Sequence, residues 1–221
     1  MMQEPNHPHA GQAASVAGVP LDVASYAVIL VHGRGGTPEG MLPVARAAGA
    51  VDGFVIAPRA ADGQWYPYRF LAPVAQNEPW LSSALQSIDD TVQYVRKGGV
   101  PVERIILAGF SQGACLALEY VARHPQRYGG VAALAGALIG DPAVPREYAG
   151  ALAATPVLLA CGDADEHIPE PLVREAARVF GGLGGTVDLR IYPGLGHSIT
   201  GDQLDALREM LDGVRATIPA G

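Results

Sequence analysis

Short aliphatic runs alternate along the chain with longer segments that have helical periodicity. Residues Tyr26–Val31 read YAVILV, a continuous apolar run typical of a strand buried on both faces. Between Pro79 and Arg96, apolar residues recur every three or four positions, which predicts an amphipathic helix with one buried stripe. This alternation of short strands and longer helices continues to the end of the chain.

The remaining strands are predicted over Phe54–Ala57, Arg104–Gly109, Gly130–Leu134, Pro156–Ala160 and Thr186–Tyr192. The remaining helices are predicted from Pro38 toward Ala48 and over Gln112–His124, Pro171–Phe180 and Asp202–Thr217. Strands separated by helices form βαβ units, so we predict an α/β fold with a mostly parallel central sheet and helices on both faces. In such sheets, ligands bind beyond the carboxyl ends of the strands.

Two segments lack this periodicity. Residues 1–24 are polar and contain three prolines, so we predict an N-terminal arm or hairpin, in which His7 and His9 are solvated. Residues 25–221 are predicted to form a single domain. Residues 59–77, here called the aromatic loop, have no periodicity but many large side chains, and a loop of that length in a compact domain is usually functional.

Composition narrows the range of partners. The 221 residues include 15 Lys and Arg against 22 Asp and Glu, and a net charge of −7 argues against nucleic acid as a partner. Apolar runs are far shorter than the roughly 18 residues needed to span a bilayer, so no membrane insertion is expected. No secretory signal is visible, which makes the cytoplasm the expected location. Cys115 and Cys161 lack C-x-x-C spacing and are expected to be buried.

The strongest chemical signal is G-x-S-x-G at residues 109–113, between the apolar strand 104–109 and a helix. A serine at such a sharp turn has a strained backbone that holds its hydroxyl clear of the sheet. Ser111 is therefore the candidate nucleophile. A serine hydroxyl is a poor nucleophile unless a base removes its proton and a carboxylate orients that base.

A base and an acid occur at two later strand ends, in the order Ser, Asp, His. His197 follows the strand 186–192, and Asp165 follows the strand 156–160. Asp163 is the rival acid, but its position suits stabilisation of the turn itself. Among the other histidines, His32 is expected to order the turn 33–36, and His167 either lines the pocket or lies on a surface loop.

The carbonyl that Ser111 attacks develops negative charge, which preorganised N–H donors must stabilise. We expect these donors to be the backbone N–H groups of Gln112 and Arg34. The Arg34 side chain is incidental to that role, and we expect it to be solvated, with attraction of an anionic substrate group as the alternative. An apolar pocket is predicted from Trp65, Tyr66 and Ile168, with core packing as the alternative for each aromatic ring, and with Leu138–Ile139 as further candidates.

Nucleotide and metal motifs are absent from the sequence. Pro38 stands where G-x-G-x-x-G would need a glycine, the only lysine is outside any Walker A pattern, and no H-E-x-x-H occurs. We therefore expect no metal and no cofactor.

Together, VHGRGG (31–36), GFSQGA (109–114), GDADEHIP (162–169) and YPGLGHSI (192–199) resemble the α/β-hydrolase fold and, within it, the carboxylesterase/phospholipase family that includes acyl-protein thioesterases. The resemblance implies a triad of Ser111, Asp165 and His197 and an oxyanion hole formed by the N–H groups of Arg34 and Gln112. Gly36 stands where acyl-protein thioesterases usually have aspartate, and the segment WYPYRFL (65–71) is similar to a bacterial esterase branch.

The leading hypothesis is a serine esterase that cleaves small-molecule carboxylic esters through an acyl-enzyme intermediate. An acyl-protein thioesterase or lysophospholipase is the alternative within the same chemistry. A non-catalytic protein of the same fold that binds a ligand is the alternative of a different class. The sequence leaves a homodimer open.

Overall fold

A computed structural model describes residues 7–219. Within them the chain forms seven strands: β1 (Ser15–Gly18), β2 (Ala27–Val31), β3 (Phe54–Ala57), β4 (Ile105–Phe110), β5 (Gly130–Leu134), β6 (Pro156–Gly162) and β7 (Thr186–Tyr192). They form one sheet in the order β1-β3-β2-β4-β5-β6-β7. Strands β2 to β7 are parallel, and only β1 runs antiparallel to its neighbour β3. The predicted mostly parallel sheet is confirmed.

Five α-helices connect or follow these strands: α1 (Pro38–Ala47), α2 (Trp80–Lys97), α3 (Gln112–Arg123), α4 (Glu170–Gly182) and α5 (Gly201–Arg215). Their starts follow from local sequence. The hydroxyl of Thr37 accepts the N–H of Gly40 at the start of α1, and Pro38 occupies the first turn. Thr200 and Gln203 form a capping box at the start of α5.

The sheet separates two apolar cores, because alternate residues of each strand point to opposite faces. In β2, Ile29 and Val31 belong to the core that also contains buried residues of α2, α3 and α4. Val28 and Leu30 belong to the core that contains buried residues of α1 and α5. Helices therefore cover both faces of the sheet, as predicted, and the carboxyl ends of β2, β4, β6 and β7 share one edge.

The N-terminal arm or hairpin predicted for residues 1–24 lies partly outside the described residues, since these begin at residue 7. Residues 15–18 pair with β3 rather than with a second N-terminal strand, and Leu21–Val23 form a short 3-10 helix. The expectation that His9 is solvated was wrong. Its Nδ1 accepts the N–H of Ala61 and its Nε2 donates to the carbonyl of Trp65, and the side chain is buried.

The aromatic loop contains two 3-10 turns, Ala61–Gly63 and Val74–Asn77, and buries Trp65, Tyr66 and Phe70. His9 packs on it, with its ring 5.4 Å from that of Trp65. His9 of the N-terminal segment therefore packs against the aromatic loop and stabilises it. Among the helices within residues 7–219, none combines the length and the apolar composition required to span a bilayer.

Candidate active site

Ser111 lies at the sharp turn between β4 and α3, and its backbone has φ 55° and ψ −121°. This region is sparsely populated for residues other than glycine and costs on the order of 1–3 kcal/mol. The flanking glycines permit the turn. A Cβ on Gly109 would lie 2.4 Å from the Gly113 oxygen, and a Cβ on Gly113 would lie 2.2 Å from the Val31 oxygen. Only glycine fits at both positions.

The structure brings Ser111, His197 and Asp165 together from three strand ends. The His197 Nδ1 lies 2.7 Å from Asp165 Oδ2, and the His197 Nε2 lies 2.8 Å from Ser111 Oγ. A carboxylate only accepts hydrogen bonds, so His197 Nδ1–H donates to Asp165. The Nε2 of the neutral ring is then the acceptor for the Ser111 hydroxyl. This arrangement lets the imidazole remove the serine proton.

Asp165 is held as a carboxylate by its surroundings. Its Oδ1 accepts the backbone N–H groups of His167 at 2.8 Å and Ile168 at 3.0 Å, and its side chain is fully buried. Burial by itself raises the pKa of Asp165, but the hydrogen bonds from His197 and from these two N–H groups outweigh it, so the pKa is lowered. The carboxylate therefore stays ionised beside the imidazole.

Asp163, the rival acid, has a different position. Its Oδ1 accepts the N–H of Gly194 at 2.6 Å and so ties the loop after β6 to the loop that carries His197. This contact agrees with the interpretation of Asp163 as a residue that stabilises the turn. It also fixes the separation of the two loops that present Asp165 and His197.

Two rings flank the imidazole of His197. The Phe110 ring lies 4.9 Å from it, and the His167 ring contacts it edge-on at 4.7 Å. His167 therefore lies at the site, which settles the alternatives for that residue in favour of the pocket. Sequence reasoning missed Phe110, although it is the residue directly before the candidate nucleophile.

The backbone N–H groups of Arg34 and Gln112 have no acceptor within residues 7–219. Both residues line the same cleft as Ser111. Gln112 is the first residue of α3, where backbone N–H groups have no partner inside the helix. These two donors are free to bind an oxygen that carries negative charge.

The side chains of the same two residues hold the aromatic loop. The Arg34 side chain is exposed, as expected, and its guanidinium also donates to the carbonyl oxygens of Tyr66 (2.8 Å) and Tyr68 (2.7 Å). The Gln112 side chain accepts the N–H of Trp65 at 2.9 Å and donates to the Tyr66 oxygen at 2.8 Å. Sequence reasoning missed these contacts because they join residues more than 30 positions apart.

His32 lies beneath the turn that carries Arg34. Its Nδ1 lies 2.8 Å from the Gly33 oxygen, and its Nε2 accepts the N–H of Ala60 at 3.1 Å. Because Nε2 accepts a hydrogen bond, the proton of the neutral ring lies on Nδ1, which donates to the Gly33 oxygen. Burial lowers the pKa of His32, which keeps the ring neutral. The residue orders the turn, in agreement with the sequence-based interpretation.

The cleft in front of Ser111 has a volume of about 610 Å³. Its lining comprises Gly33, Arg34, Tyr66, Pro67, Tyr68, Arg69, Phe70, Phe110, Ser111, Gln112, Cys115, His167, Ile168 and His197. Tyr66 and Ile168 are among these residues, whereas Trp65 is not. Trp65 is fully buried, and its indole N–H donates to the His32 oxygen at 2.8 Å, so the core-packing alternative applies to it.

Two further expectations concern residues near the cleft. Leu138 and Ile139 do not line it, and Ile139 instead lines a separate cavity of about 680 Å³.

Both cysteines are buried and free, as predicted, and burial raises the pKa of each thiol to about 12. Within the described residues, no group of three or more histidine, cysteine or acidic side chains is placed to hold a metal ion.

Comparison with known proteins gives consistent matches. The model of the phospholipase/carboxylesterase family matches residues 16–214. A crystal structure of a phospholipase/carboxylesterase from Dyadobacter fermentans is 37% identical, has a TM-score of 0.87, and covers 91% of this chain and 96% of its own. The α/β-hydrolase fold expected from the sequence is thereby confirmed.

More distant relatives match over a shorter region. A probable SOBER1-like carboxylesterase from Arabidopsis thaliana is 28% identical over 136 residues, which cover 62% of this chain and 52% of that protein. Acyl-protein thioesterase 1 from Saccharomyces cerevisiae is 30% identical over 132 residues, which cover 58% of each. The matched region spans about half the length of these two relatives. From the family match over nearly all of its described residues, the chain belongs to the phospholipase/carboxylesterase family.

Proposed function

We propose that this protein is a serine carboxylesterase that hydrolyses small-molecule esters through an acyl-enzyme intermediate. The observation that carries the proposal is the continuous hydrogen-bonded chain from Ser111 through His197 to Asp165, beside two backbone N–H groups that have no acceptor among the described residues. Nucleophile, base, orienting acid and oxyanion donors are the parts that acyl transfer requires.

The reaction starts when Ser111 Oγ attacks the ester carbonyl while His197 Nε2 takes the hydroxyl proton. The carbonyl π electrons move to its oxygen, and the N–H groups of Arg34 and Gln112 stabilise the oxyanion, each by about 3–4 kcal/mol. Asp165 stabilises the imidazolium that forms. Collapse of the tetrahedral intermediate breaks the ester C–O bond, and the imidazolium protonates the departing alkoxide.

Deacylation repeats these steps with water. His197 takes a proton from water, the resulting hydroxide attacks the acyl carbon, and the same two N–H groups stabilise the second oxyanion. The acid leaves when the C–Oγ bond breaks and the proton returns to Ser111. The buried, ionised state of Asp165 supports both half-reactions, because it fixes the same orientation of the imidazole throughout.

The same machinery would cleave a thioester or a lysophospholipid. The similarity to acyl-protein thioesterase 1 from Saccharomyces cerevisiae is the observation that favours this second candidate. The alternative of a non-catalytic binding protein lacks such support, since it would not require the Ser111 hydroxyl and the His197 ring to be aligned within 2.8 Å. Homodimer formation and a cytoplasmic location stay predictions.

A fluorophosphonate probe tests the nucleophile directly. We expect the probe to label the wild-type protein at Ser111 and to leave Ser111→Ala unlabelled, with ester hydrolysis reduced by about a millionfold or to background. Ser82→Ala, which removes an exposed hydroxyl on α2, serves as the matched control and should be labelled like the wild type. Undiminished ester hydrolysis in Ser111→Ala would refute the proposal.

A substrate panel then separates the two candidates. The purified protein is assayed on aryl esters of increasing acyl length, on a thioester and on a lysophospholipid. The esterase candidate predicts the highest kcat/KM on short-chain esters, because the two candidates differ in which acyl group the cleft binds in the transition state. A higher kcat/KM on the long-chain thioester would instead support the thioesterase candidate.

A further inference from the structure

The charge of the cleft is opposite to that of the protein. The whole chain has a net charge of −7. Among the described residues that line the cleft, however, there are two arginines, Arg34 and Arg69, and no aspartate or glutamate. The nearby Asp165 carboxylate is fully buried and is bound by His197 and by two backbone N–H groups. A negatively charged ligand group in the cleft would therefore meet cations rather than carboxylates.

The two arginines differ in how their donors are used. Arg34 donates to a glutamine oxygen and to three backbone carbonyls, so its guanidinium is committed to the aromatic loop. Arg69 is exposed, and within residues 7–219 its guanidinium makes a single hydrogen bond, a long one of 3.4 Å from Nη2 to the His167 oxygen. Within residues 7–219 it has no carboxylate partner. Most of its five N–H donors remain available.

The backbone that presents Arg69 is fixed by polar contacts. The buried side chain of Asn77 accepts the N–H of Tyr68 at 2.9 Å and donates to the Arg69 oxygen at 3.3 Å. Arg34 holds the Tyr68 oxygen at 2.7 Å. A cation on a fixed backbone loses less conformational entropy on binding than one on a mobile loop.

Arg69 also lies close to the reacting groups. Its Nη2 contacts the His167 oxygen, and the His167 ring lies against the ring of His197. His167 thus contacts the guanidinium through its backbone oxygen and, through its ring, the imidazole that removes the serine proton. A planar guanidinium with free donors matches a carboxylate, to which it binds with two parallel hydrogen bonds.

We propose that Arg69 binds a carboxylate carried by the substrate, so that this site prefers esters with one free carboxylate over neutral esters of the same size. The inference rests on the proposed esterase function and names the substrate class of that site. The carboxylate is part of either the acyl half or the alcohol half of the ester. Two matched pairs of substrates distinguish these sources.

In the first pair, methyl hydrogen glutarate carries the carboxylate in its acyl half and methyl hexanoate is its neutral counterpart. In the second pair, butyryl glycolate carries the carboxylate in its alcohol half and propyl butyrate is neutral. For one of the two pairs, we expect wild-type kcat/KM to be roughly fivefold to tenfold higher on the anionic ester, mainly through a lower KM. That advantage should shrink as NaCl rises above about 0.1 M, because salt screens exposed charges.

Variants of Arg69 test its role. In Arg69→Gln, the ratio of kcat/KM for the anionic ester to that for its neutral counterpart should fall to about one, and in Arg69→Glu it should fall below one. Arg178→Gln, which removes an exposed charge on α4 that does not line the cleft, is the matched control and should keep the wild-type ratio. Thermal melting of each variant checks that the fold is intact.

Two results would overturn the inference: equal wild-type kcat/KM on the anionic and neutral members of both pairs, or an anionic preference that persists in Arg69→Gln. A failure of the esterase function itself is distinguishable from both. In that case the wild-type protein would neither react with a fluorophosphonate nor hydrolyse either neutral ester, and the inference would fall with the function on which it rests.

Discussion

The two walls of the cleft are built in different ways. The elbow, residues 109–113, is held by direct contact of backbone with backbone, and its glycines leave no room for a Cβ. The aromatic loop, residues 59–77, is held by polar side chains that reach it from other elements, namely Arg34, Gln112 and His9. One wall is fixed by steric exclusion and the other by hydrogen bonds.

This difference matches what each wall must do. The elbow places Ser111 Oγ within 2.8 Å of His197, and a shift of 1 Å there would break the proton path. The aromatic loop surrounds the substrate instead, so its shape sets which ester fits. A single substitution can remove one of these side-chain hydrogen bonds and leave the others in place, whereas a side chain added at a glycine of the elbow forces the backbone to move. We therefore expect mutations in the two walls to differ in severity.

The largest effect is expected from Gly113→Ala in the elbow. The new Cβ would lie 2.2 Å from the Val31 oxygen and 2.5 Å from the His32 oxygen, so the backbone of α3 or β2 must move. We expect the free energy of unfolding to fall by about 3 kcal/mol, with loss of ester hydrolysis. Urea denaturation measures the first quantity.

The control for that experiment is Gly213→Ala, because a Cβ at position 213 in α5 would meet no atom of the described residues within 4 Å. It should raise the free energy of unfolding by up to about 1 kcal/mol. If both alanine variants were equally stable, the steric account of the elbow would be wrong.

A smaller effect is expected from Gln112→Ala, which releases the aromatic loop. The variant leaves the buried Trp65 N–H without its acceptor and removes one of the two hydrogen bonds to the Tyr66 oxygen, at a cost of about 2 kcal/mol in the free energy of unfolding. The backbone N–H of residue 112 remains, so kcat/KM should fall through loss of cleft shape rather than vanish. Gln86→Ala on the exposed side of α2 is the control and should change neither quantity; an equal loss of stability in that control would argue against the loop contact.

The strain at Ser111 predicts a difference between two inactive variants. Glycine tolerates φ 55° better than alanine does, and neither residue has a hydroxyl. We expect Ser111→Gly to be more stable than Ser111→Ala by about 1 kcal/mol, because it relieves the backbone strain. Differential scanning calorimetry of the pair provides the test, and an alanine variant that melts above the glycine variant would contradict it.

The last prediction concerns the dependence of stability on pH. Burial is the largest influence on His9 and lowers its pKa below the ordinary value of 6.5. Above that value His9 is neutral in both states, and as the pH falls through 6.5 the unfolded chain binds the proton first. Stability should therefore decrease with acidification, by at most about 1.4 kcal/mol per pH unit for this group.

The variant His9→Gln cannot take up that proton. Its free energy of unfolding should fall less between about pH 7.5 and about pH 5.5 than that of the wild type, because only the other titratable groups then contribute. Burial lowers the pKa of His32 as well, so part of the acid sensitivity should remain. An unchanged slope in the variant would show that His9 does not couple protonation to the aromatic loop.

Much of the fold was predictable because its signals are local. Strands such as β2 are continuous apolar runs, and α1 and α5 begin at their own capping residues. The candidate active-site residues were also predictable from local sequence signals. Ser111 lies in a motif with its strand and helix on either side, and Asp165 and His197 follow later strands, so parallel topology alone brings their loops to one edge of the sheet.

Errors arose where a residue's environment comes from distant parts of the chain. His9 was expected to be solvated because its neighbours in sequence are polar, but Trp65 and Ala61 bury and bind it. Trp65 was expected in the pocket because it lies among other aromatic residues, but its indole N–H has its partner in His32. Neither contact has a periodic or motif signal.

The amino-acid sequence by itself thus determined the order of strands β2 to β7 and of the five helices, the turn that carries Ser111, and the three strand ends that carry Ser111, Asp165 and His197. Only the tertiary structure decided which side chains face the cleft, how Arg34 and Gln112 hold its second wall, and that Arg69 lines the cleft with no carboxylate partner among residues 7–219. The physical reason is the range of the interactions. Backbone preferences and apolar periodicity act over a few residues, whereas burial and hydrogen bonding depend on groups that only folding brings together.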